Sequence, residues 1–270
     1  MGQALQGHGK LAVITGASTG IGLELAKQFA KNGFDIVATA ENDALSAACE
    51  SLRAFGTEVH EVKVDLREPT GVYDLYDHIR ALNRPVEVIA LNAGVGVGGA
   101  SFDKTDIEEE IDMIKLNVIS VVYLTKLVLK DMLREGHGKI LFTSSVASIM
   151  PGPYLSVYAG TKFFVQAFSE ALRVENKDKG ITITALLPGA TETEFFHRAH
   201  MDDTKVGQAE KDDPALVAKQ GYEALMRGDD MVIAGSTMNK IQGTAAKFMP
   251  QSLAAKFHGD QSKPNSPDKR

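Results

Sequence analysis

The chain has 270 residues, with 29 Lys and Arg against 35 Asp and Glu, a formal net charge of −6 and 44 % hydrophobic residues. This is the composition of an ordinary globular protein, and one α/β domain with an extension accounts for the length. The negative charge and the lack of a Lys/Arg block argue against binding to duplex nucleic acid, because counterion release from phosphates needs clustered positive charge.

Targeting and membrane signals are also absent from the sequence. Residues 1–9 have neither the basic start nor the apolar run of a signal peptide, and Gln6 stands where a myristoylation signal needs Ser or Thr. The longest apolar stretch, Val118 to Leu124, is far shorter than the roughly 20 residues that cross a bilayer. The single Cys49 cannot form an intrachain disulfide and fits a reducing compartment. We therefore predict a cytoplasmic protein without a membrane span.

Short runs rich in β-branched and apolar residues alternate with longer helical patterns along the chain. The predicted strands are Lys10 to Thr15, Asp35 to Ala40, Glu58 to Val64, Val86 to Leu91, Lys139 to Thr143, Ile181 to Leu187 and Met231 to Ile233. The predicted helices are Gly22 to Lys31, Ala44 to Phe55, Pro69 to Leu82, Thr105 to Arg134, Ser156 to Lys177 and Pro214 to Arg227. Each intervening segment is long enough for a crossover helix, so the strands should pair in parallel with helices on both faces. The sequence thus predicts a doubly wound, Rossmann-type α/β fold of about seven strands.

The domain boundaries follow from the end of this pattern. Residues 1–237 form one predicted domain, and residues 238–258 form a helical extension. The extension has apolar residues spaced for one helix face, namely Ile241, Phe248, Met249, Leu253 and Phe257. Residues 259–270 are polar with two prolines and predict a flexible tail.

A glycine-rich turn follows the first predicted strand. Gly16, Gly20 and Gly22 stand at the junction between this strand and the next helix. Glycines at such a junction allow a tight turn and a close approach to a pyrophosphate, and the helix N-terminus supplies partial positive charge. The turn therefore predicts a dinucleotide-binding loop.

The same turn permits a second hypothesis. Residues 16–20 also match the G-x-S-x-G elbow of α/β-hydrolases, in which Ser18 would be the nucleophile. A hydrolase needs a later His, and His258 is the only one after His200, close to the predicted tail. The elbow would also lie on the first strand. The hydrolase stays an alternative.

A second motif lies in the predicted helix from Ser156. Tyr158 and Lys162 are four residues apart and therefore share one helix face, and Ser145 ends a predicted strand upstream. With the glycine turn, this constellation resembles the short-chain dehydrogenase/reductase family. The further positions that match the family pattern are Asp65, Asn92-Ala93-Gly94, Asn117, Pro188-Gly189 and Thr193.

The resemblance implies an NAD(P)-dependent oxidoreductase that interconverts an alcohol and a carbonyl. It assigns Ser145 to the substrate oxygen, Tyr158 to proton transfer and Asn117 to a proton-relay water, and makes Ser144 structural. Lys162 would hold the nicotinamide ribose and lower the pKa of Tyr158, because a phenol with a reference pKa near 10 needs nearby positive charge to act at neutral pH.

The resemblance also implies a set of cofactor-binding residues and a lid over the substrate. The cofactor set is Gly16, Ser18, Thr19, Gly20, Ile21, Gly22, Glu41, Asp65, Asn92, Ala93, Gly94, Tyr158, Lys162, Pro188, Gly189 and Thr193. The lid corresponds to residues 190–213. A non-catalytic dinucleotide sensor is a further alternative, although such relatives usually lose the Tyr or the Lys. Cofactor turnover separates the two.

The cofactor type is predicted from the end of the second strand. Ala40 lacks the carboxylate that NAD users of the family carry there, and Glu41 stands where NADP users often have Arg. An anionic Glu41 should repel a 2′-phosphate, which favours NAD over NADP.

The predicted lid holds two further groups of residues. His197, His200, Asp202 and Asp203 offer nitrogen and oxygen ligands, but their place in the lid leads us to predict no metal. Phe195 and Phe196 of the lid, with Ile149, Met150 and Tyr154, predict an apolar pocket wall and hence an apolar substrate.

Assembly is predicted from the helix that begins at Ser156. Phe163, Phe164, Val165 and Phe168 give it more apolar surface than one face can bury in its own core. Because relatives in the family commonly pair through this helix and the one predicted before it, we expect a homodimer or homotetramer.

Overall fold

The computed structural model of the chain describes residues 7–237 and 249–266. Its seven strands form one sheet in the order β3-β2-β1-β4-β5-β6-β7. The strands are β1 (Leu11–Thr15), β2 (Asp35–Ala40), β3 (Val59–Lys63), β4 (Val86–Leu91), β5 (Gly138–Thr143), β6 (Ile181–Pro188) and β7 (Met231–Ala234). All neighbouring strands pair in parallel. The predicted doubly wound α/β fold is confirmed.

Helices cover both faces of the sheet. They are α1 (Gly20–Lys31), α2 (Ala44–Arg53), α3 (Pro69–Ala81), α4 (Ile107–Ile114), α5 (Ser120–Glu135), α6 (Ser156–Asn176), α7 (Phe195–Arg198), α8 (Lys205–Gln208), α9 (Pro214–Arg227) and α10 (Gln251–Ser262). One apolar layer joins α1, α2 and α9 to the sheet, and the other joins α3, α5 and α6 to it. A strand covered on both faces can be buried along its whole length, as β1 is, and its first four residues are all apolar.

The helix predicted from Thr105 to Arg134 is not continuous. A 3₁₀ turn at Phe102–Lys104 precedes α4, and a π-helical segment, Lys115–Ile119, separates α4 from α5. A π turn adds a residue to one helical turn and often marks a functional site. Apolar periodicity did not reveal it, because the π-helical segment is much shorter than the window of 11 to 18 residues over which such a pattern is counted. The segment contains Asn117, one of the predicted site residues.

The order of the strands places a crevice between β1 and β4. From β1 the chain builds the sheet in one direction through β2 and β3, and from β4 it builds in the other. The loops after β1 and β4 therefore leave in opposite directions and open a crevice at the carboxyl ends of these strands, where ligands of doubly wound folds bind. The loops that follow β5 and β6 also line this crevice.

The C-terminal helix ends later in the chain than predicted and presents another face. α10 continues past His258 to Ser262, across the boundary where the flexible tail was expected. Leu253 and Phe257, predicted on its apolar face, are exposed, whereas Ala254 is buried. Met249 packs at its start, and the predicted positions Ile241 and Phe248 lie outside the described residues.

Hydrogen bonds connect the residues after α10 to Asp203, which lies in the predicted lid, residues 190–213. The main-chain oxygen of Asp203 accepts from the Asn265 nitrogen at 2.8 Å, and its carboxylate accepts from the Ser266 nitrogen at 2.9 Å. Thr204 and Pro264 also form an antiparallel bridge. The lid and the C-terminal helix are thereby one packed unit.

Within residues 7–237 and 249–266, no helix combines the length and the apolar character that a membrane crossing requires.

Candidate active site

The glycine-rich turn between β1 and α1 leaves no room for a side chain at its glycine positions. Gly16 and Gly20 have positive φ angles of 68° and 56°. A Cβ on Gly16 would lie 3.0 Å from the Cα of Ala93, and one on Gly22 would lie 2.0 Å from the carbonyl oxygen of Gly16. The turn therefore presents bare backbone beside the N-terminus of α1, which suits the pyrophosphate of a dinucleotide.

Asn92, directly after β4, connects this turn to two neighbouring strands. Its Nδ2 donates to the carbonyl of Thr15 at 3.2 Å, and its main-chain nitrogen donates to Oγ1 of Thr15 at 2.9 Å. Its Oδ1 accepts from Oγ1 of Thr143, at the end of β5, at 3.2 Å. The ends of β1, β4 and β5 are thus held in register at the crevice.

Ser145 lies just beyond β5 and caps a 3₁₀ turn, Val146–Ser148. Its Oγ accepts a hydrogen bond from the Ala147 nitrogen at 3.0 Å, which leaves the hydroxyl proton available to another acceptor. Ser144 instead donates to the carbonyl of Lys162 at 3.0 Å and is buried, so it holds α6 against the sheet.

Tyr158 and Lys162 lie on α6 and are both buried. Nζ of Lys162 donates to the carbonyl of Thr143 at 3.0 Å and lies 5.8 Å from the centre of the Tyr158 ring. Burial raises the pKa of Tyr158 to about 12, against the opposing effect of a hydrogen bond from Ser145, and burial lowers the pKa of Lys162 to about 8. The sequence predicted a lowered pKa for Tyr158, but loss of hydration is the larger effect here. At neutral pH, Tyr158 is a neutral phenol that can donate a proton.

Asn117 connects the π-helical segment to the loop after β4. Its Nδ2 donates to the carbonyl of Val95 at 2.9 Å and to Oγ1 of Thr161 at 3.1 Å, and its Oδ1 accepts from the Val95 nitrogen at 3.0 Å. A Cβ on Gly94 would lie 3.1 Å from this Oδ1 and 3.4 Å from Nζ of Lys162. Asn117 thus positions the wall beside Lys162.

The lid contacts both the glycine-rich turn and the tyrosine. A methyl carbon of Thr193 lies 2.9 Å from where a Cβ on Gly20 would be. The Phe195 ring packs on the Tyr158 ring with centroids 5.1 Å apart. Thr193 and Phe195, in the segment predicted to be the lid, therefore lie over the crevice from the side of β6.

Most of the predicted site residues meet at one cavity of about 260 Å³. Those that line it are Gly16, Ser18, Thr19, Gly20, Ile21, Gly22, Glu41, Asn92, Ala93, Gly94, Ser145, Tyr158, Lys162, Pro188, Gly189 and Thr193. Asp65 and Asn117 are not among its lining residues. Phe195 and Phe196 line it as predicted, but Ile149, Met150 and Tyr154 do not. Met150 packs instead against Ala254 of α10, which draws that loop towards the C-terminal helix.

Sequence reasoning missed a cation, Arg67, that contacts Glu41 near β2 and β3 but does not itself line the cavity. Arg67 donates from Nε to the Asp65 carboxylate at 2.9 Å, and its Nη2 lies 3.9 Å from Oε1 of Glu41. Burial would raise the pKa of Asp65, but the hydrogen bonds from Arg67 outweigh it and lower that pKa. Asn42 donates to Oγ of Ser18 at 3.2 Å. Glu41 is therefore not an isolated negative charge.

The histidines of the lid have separate acidic partners. His197 lies 2.9 Å from Asp202, and His200 lies 3.3 Å from Glu109 of α4. Across the described part of the chain, no three His, Cys, Asp or Glu residues are grouped as metal ligands would be.

The fold and the cavity together define a Rossmann-type, dinucleotide-binding α/β protein with a Ser, Tyr and Lys group beside the dinucleotide crevice. The family model described as short chain dehydrogenase matches residues 10–204. The chain belongs to this family, which excludes the hydrolase alternative for Ser18.

Individual proteins show the same relationship. The chain is 36 % identical over 189 residues to a very-long-chain 3-oxoacyl-CoA reductase from Anas platyrhynchos, covering 67 % of this chain and 60 % of that one. It is 31 % identical over 200 residues to the 3-oxoacyl-[acyl-carrier-protein] reductase FabG of Escherichia coli (strain K12), covering 74 % and 80 %. A short-chain dehydrogenase from Sphingobium yanoikuyae, solved with NADPH, superimposes with a TM-score of 0.79 at 27 % identity, covering 97 % of this chain and 99 % of the other.

The chain spans about three fifths of the length of some of the curated relatives that it matches. The share is 60 % for the Anas platyrhynchos reductase and 62 % for the 17-beta-hydroxysteroid dehydrogenase type 3 of Mus musculus.

We predict that Gly22→Ala weakens dinucleotide binding, because the new Cβ would collide with the Gly16 carbonyl and displace the turn. Titration of NADH or NADPH fluorescence should show a dissociation constant at least 10-fold higher, which corresponds to about 1.4 kcal/mol. The matched control is Gly160→Ala on α6, where a Cβ has nothing within 4 Å. Equal affinity in Gly22→Ala and wild type would contradict this account of the turn.

Proposed function

We propose that the chain catalyses the NAD(P)-dependent interconversion of an alcohol and a carbonyl. The observation that carries the proposal is the meeting of Ser145, Tyr158 and Lys162 at the cavity that the glycine-rich turn also lines. A binding-only sensor needs the turn but not this group of three side chains.

The glycine-rich turn would hold the reduced cofactor, which in the direction of reduction would supply the hydride for the carbonyl carbon. The Tyr158 phenol donates its proton to the carbonyl oxygen, and the Ser145 hydroxyl donates a hydrogen bond to the same oxygen. The Lys162 ammonium stabilises the negative charge left on Tyr158, which then regains a proton from solvent. Asn117 acts through position, because its hydrogen bonds fix the Val95 loop beside Lys162.

The substrate that fits this cavity is an apolar carbonyl compound. Phe196 and Met201 of the lid and Leu155 of the loop after Ser145 are buried apolar residues of its wall. The names of two relatives, a very-long-chain 3-oxoacyl-CoA reductase and a hydroxysteroid dehydrogenase, support a largely hydrocarbon substrate.

Both NAD(H) and NADP(H) fit the charges of the crevice. The predicted preference for NAD rested on Glu41 alone, and the Arg67 guanidinium offsets part of its repulsion of a 2′-phosphate. The Sphingobium yanoikuyae relative was solved with NADPH, which supports this wider choice. We infer that the balance between Glu41 and Arg67 sets the preference.

The chain is also proposed to assemble as a homodimer or homotetramer. Tyr123 on α5 and Phe163 and Phe164 on α6 are exposed, although α5 and α6 pack on the same face of the sheet. A second copy of this surface would remove these rings from water. In this assignment residues 1–237 form the cofactor-binding domain with the lid at 190–213, and α10 belongs to the C-terminal extension.

Tyr158→Phe removes the proton donor and keeps the ring that packs on Phe195. Turnover of a ketone panel with NADPH and NADH should fall by about 10²- to 10⁴-fold, while the cofactor dissociation constant stays close to that of wild type. Tyr73→Phe, an exposed tyrosine of α3, is the control. Unchanged turnover in Tyr158→Phe would refute the assigned mechanism, and a wild-type protein that binds cofactor without oxidising it would be a sensor.

The pH dependence of reduction should report Lys162. Because burial lowers its pKa to about 8, the ammonium loses its proton as the pH rises through that value, and kcat/KM for the reduced cofactor should decline above it. Lys162→Arg keeps the positive charge to higher pH, so the decline should move upward in any residual activity. A profile with the same break in both proteins would show that another group causes it.

Charge changes beside β2 test the cofactor choice. Glu41→Arg should raise the ratio of NADPH to NADH efficiency by roughly 10-fold or more, and Arg67→Ala should lower it, since a 2′-phosphate gains or loses a charged partner. Arg53→Ala is the control, because Arg53 pairs with Glu50 on the solvent-facing side of α2. If neither Glu41→Arg nor Arg67→Ala alters the ratio, these side chains do not face the ribose.

The assembly proposal is checked by light scattering at micromolar concentration, where wild type should have a mass of at least two chains. Phe163→Glu should shift it towards the monomer, because burial of a carboxylate in an apolar contact is costly. Phe55→Glu places the same charge on an exposed ring beyond α2, next to the other sheet face, and should leave the mass unchanged. A monomeric wild type would overturn the proposal.

A further inference from the structure

The C-terminal helix contributes two polar side chains to the cavity. His258 and Ser262 are four residues apart on α10, which places them on one helix face, and both line the cavity that Tyr158 and Ser145 line. Apart from the charged Glu194 and Arg198, the wall formed by the lid and by the loop after Ser145 is mostly apolar. Two hydrogen-bonding groups in such a wall require an explanation.

His258 is fixed in one neutral form. Its Nδ1 lies 3.0 Å from the carbonyl oxygen of Pro151, which can only accept, so Nδ1 carries the ring proton. Burial lowers the pKa of His258 against the opposing effect of hydrogen bonds to the main chain of Pro151 and Met150, and so favours the neutral imidazole. In that form Nε2 is a hydrogen-bond acceptor.

Ser262 is buried without a hydrogen bond. It is 1 % exposed, and its Oγ has no partner among the described residues. A buried hydroxyl without a partner costs free energy, so such a group in a cavity wall points to a ligand that completes it. Its own hydroxyl can both donate and accept.

The position of these residues is held by the fold rather than by a loose tail. A Cβ on Gly259, between them, would lie 3.2 Å from the Pro153 ring, so α10 packs closely on the loop that follows Ser145. The bonds from Asn265 and Ser266 to Asp203 fasten the end of the helix to the lid. The two side chains therefore have a defined place in the wall.

We propose that His258 and Ser262 form a subsite for a hydroxyl group on the substrate, at a distance from the carbonyl that reacts. A hydroxyl can donate to Nε2 of His258 and accept from Ser262, which satisfies both side chains, whereas a ketone or ester oxygen can only accept. The substrate class is then an apolar carbonyl compound with a second, remote hydroxyl. This inference rests on the proposed carbonyl reductase activity.

The test uses paired linear 2-ketones of four to twelve carbons that end in either a methyl or a hydroxyl group. For wild type with NADPH, the ratio of kcat/KM for the hydroxyl compound to that for the methyl compound should peak at a particular chain length. At that length the ratio should be about 3- to 10-fold above its value for the other lengths, as expected of neutral hydrogen bonds.

Two variants assign the peak to the subsite. Ser262→Ala removes the hydroxyl, and His258→Asn retains a donor towards the Pro151 carbonyl but removes Nε2. Each should flatten the peak while turnover of the methyl ketones stays within about 2-fold of wild type. Ser252→Ala, the same change at an exposed position of α10, should leave the peak intact.

Failure of this inference is distinct from failure of the proposed function. Turnover of methyl ketones with a ratio that is constant across lengths, or with a peak that survives both variants, would overturn the subsite alone. If no ketone is turned over, the carbonyl reductase proposal fails. In that case the subsite is tested by the thermal unfolding midpoint in the presence of NADPH and each ketone. The subsite requires that the hydroxyl compound raises this midpoint more than the methyl compound does, and that Ser262→Ala abolishes the difference.

Discussion

A chain of hydrogen bonds from Thr15 to Lys162 holds the site together. Thr15 bonds to Asn92, Asn92 to Thr143, and the Thr143 carbonyl to the Lys162 ammonium. The chain crosses the ends of β1, β4 and β5, so the glycine-rich turn and the lysine share one rigid frame. Because the crevice exists only where the strand order reverses, these polar side chains can lie there without disturbing the apolar layers on either face of the sheet.

Burial sets the protonation of the two central residues. Tyr158 and Lys162 are both in a position where water is excluded, and each is pushed towards its neutral form. A neutral phenol is the form that donates a proton, which is the form that carbonyl reduction requires. The Phe195 ring, tilted at 53° against the Tyr158 ring, contributes to this exclusion of water.

In the proposed function, one end of the cavity sets the preference for a cofactor and the other end sets the preference for a substrate. Beside β2, Glu41 lines the cavity, and the Arg67 guanidinium lies 3.9 Å from its carboxylate. On the substrate side, His258 and Ser262 add neutral hydrogen-bonding groups to an apolar wall. In the proposed function, charge beside β2 sets the preference for a cofactor, and the neutral polar groups of α10 set the preference for a substrate.

The sequence by itself determined the seven strands and the main helices in their order along the chain, because these follow from local periodicity. It also determined the glycine-rich turn and the spacing of Tyr158 and Lys162, because both are short-range motifs. The tertiary structure alone decided that Arg67 stands by Glu41, that Asn117 lies in a π-helical segment and that α10 presents His258 rather than Phe257 to the interior. These are contacts between residues far apart in the chain or small shifts of helical phase. Apolar periodicity is insensitive to both, since a polar residue that faces a cavity resembles one that faces water.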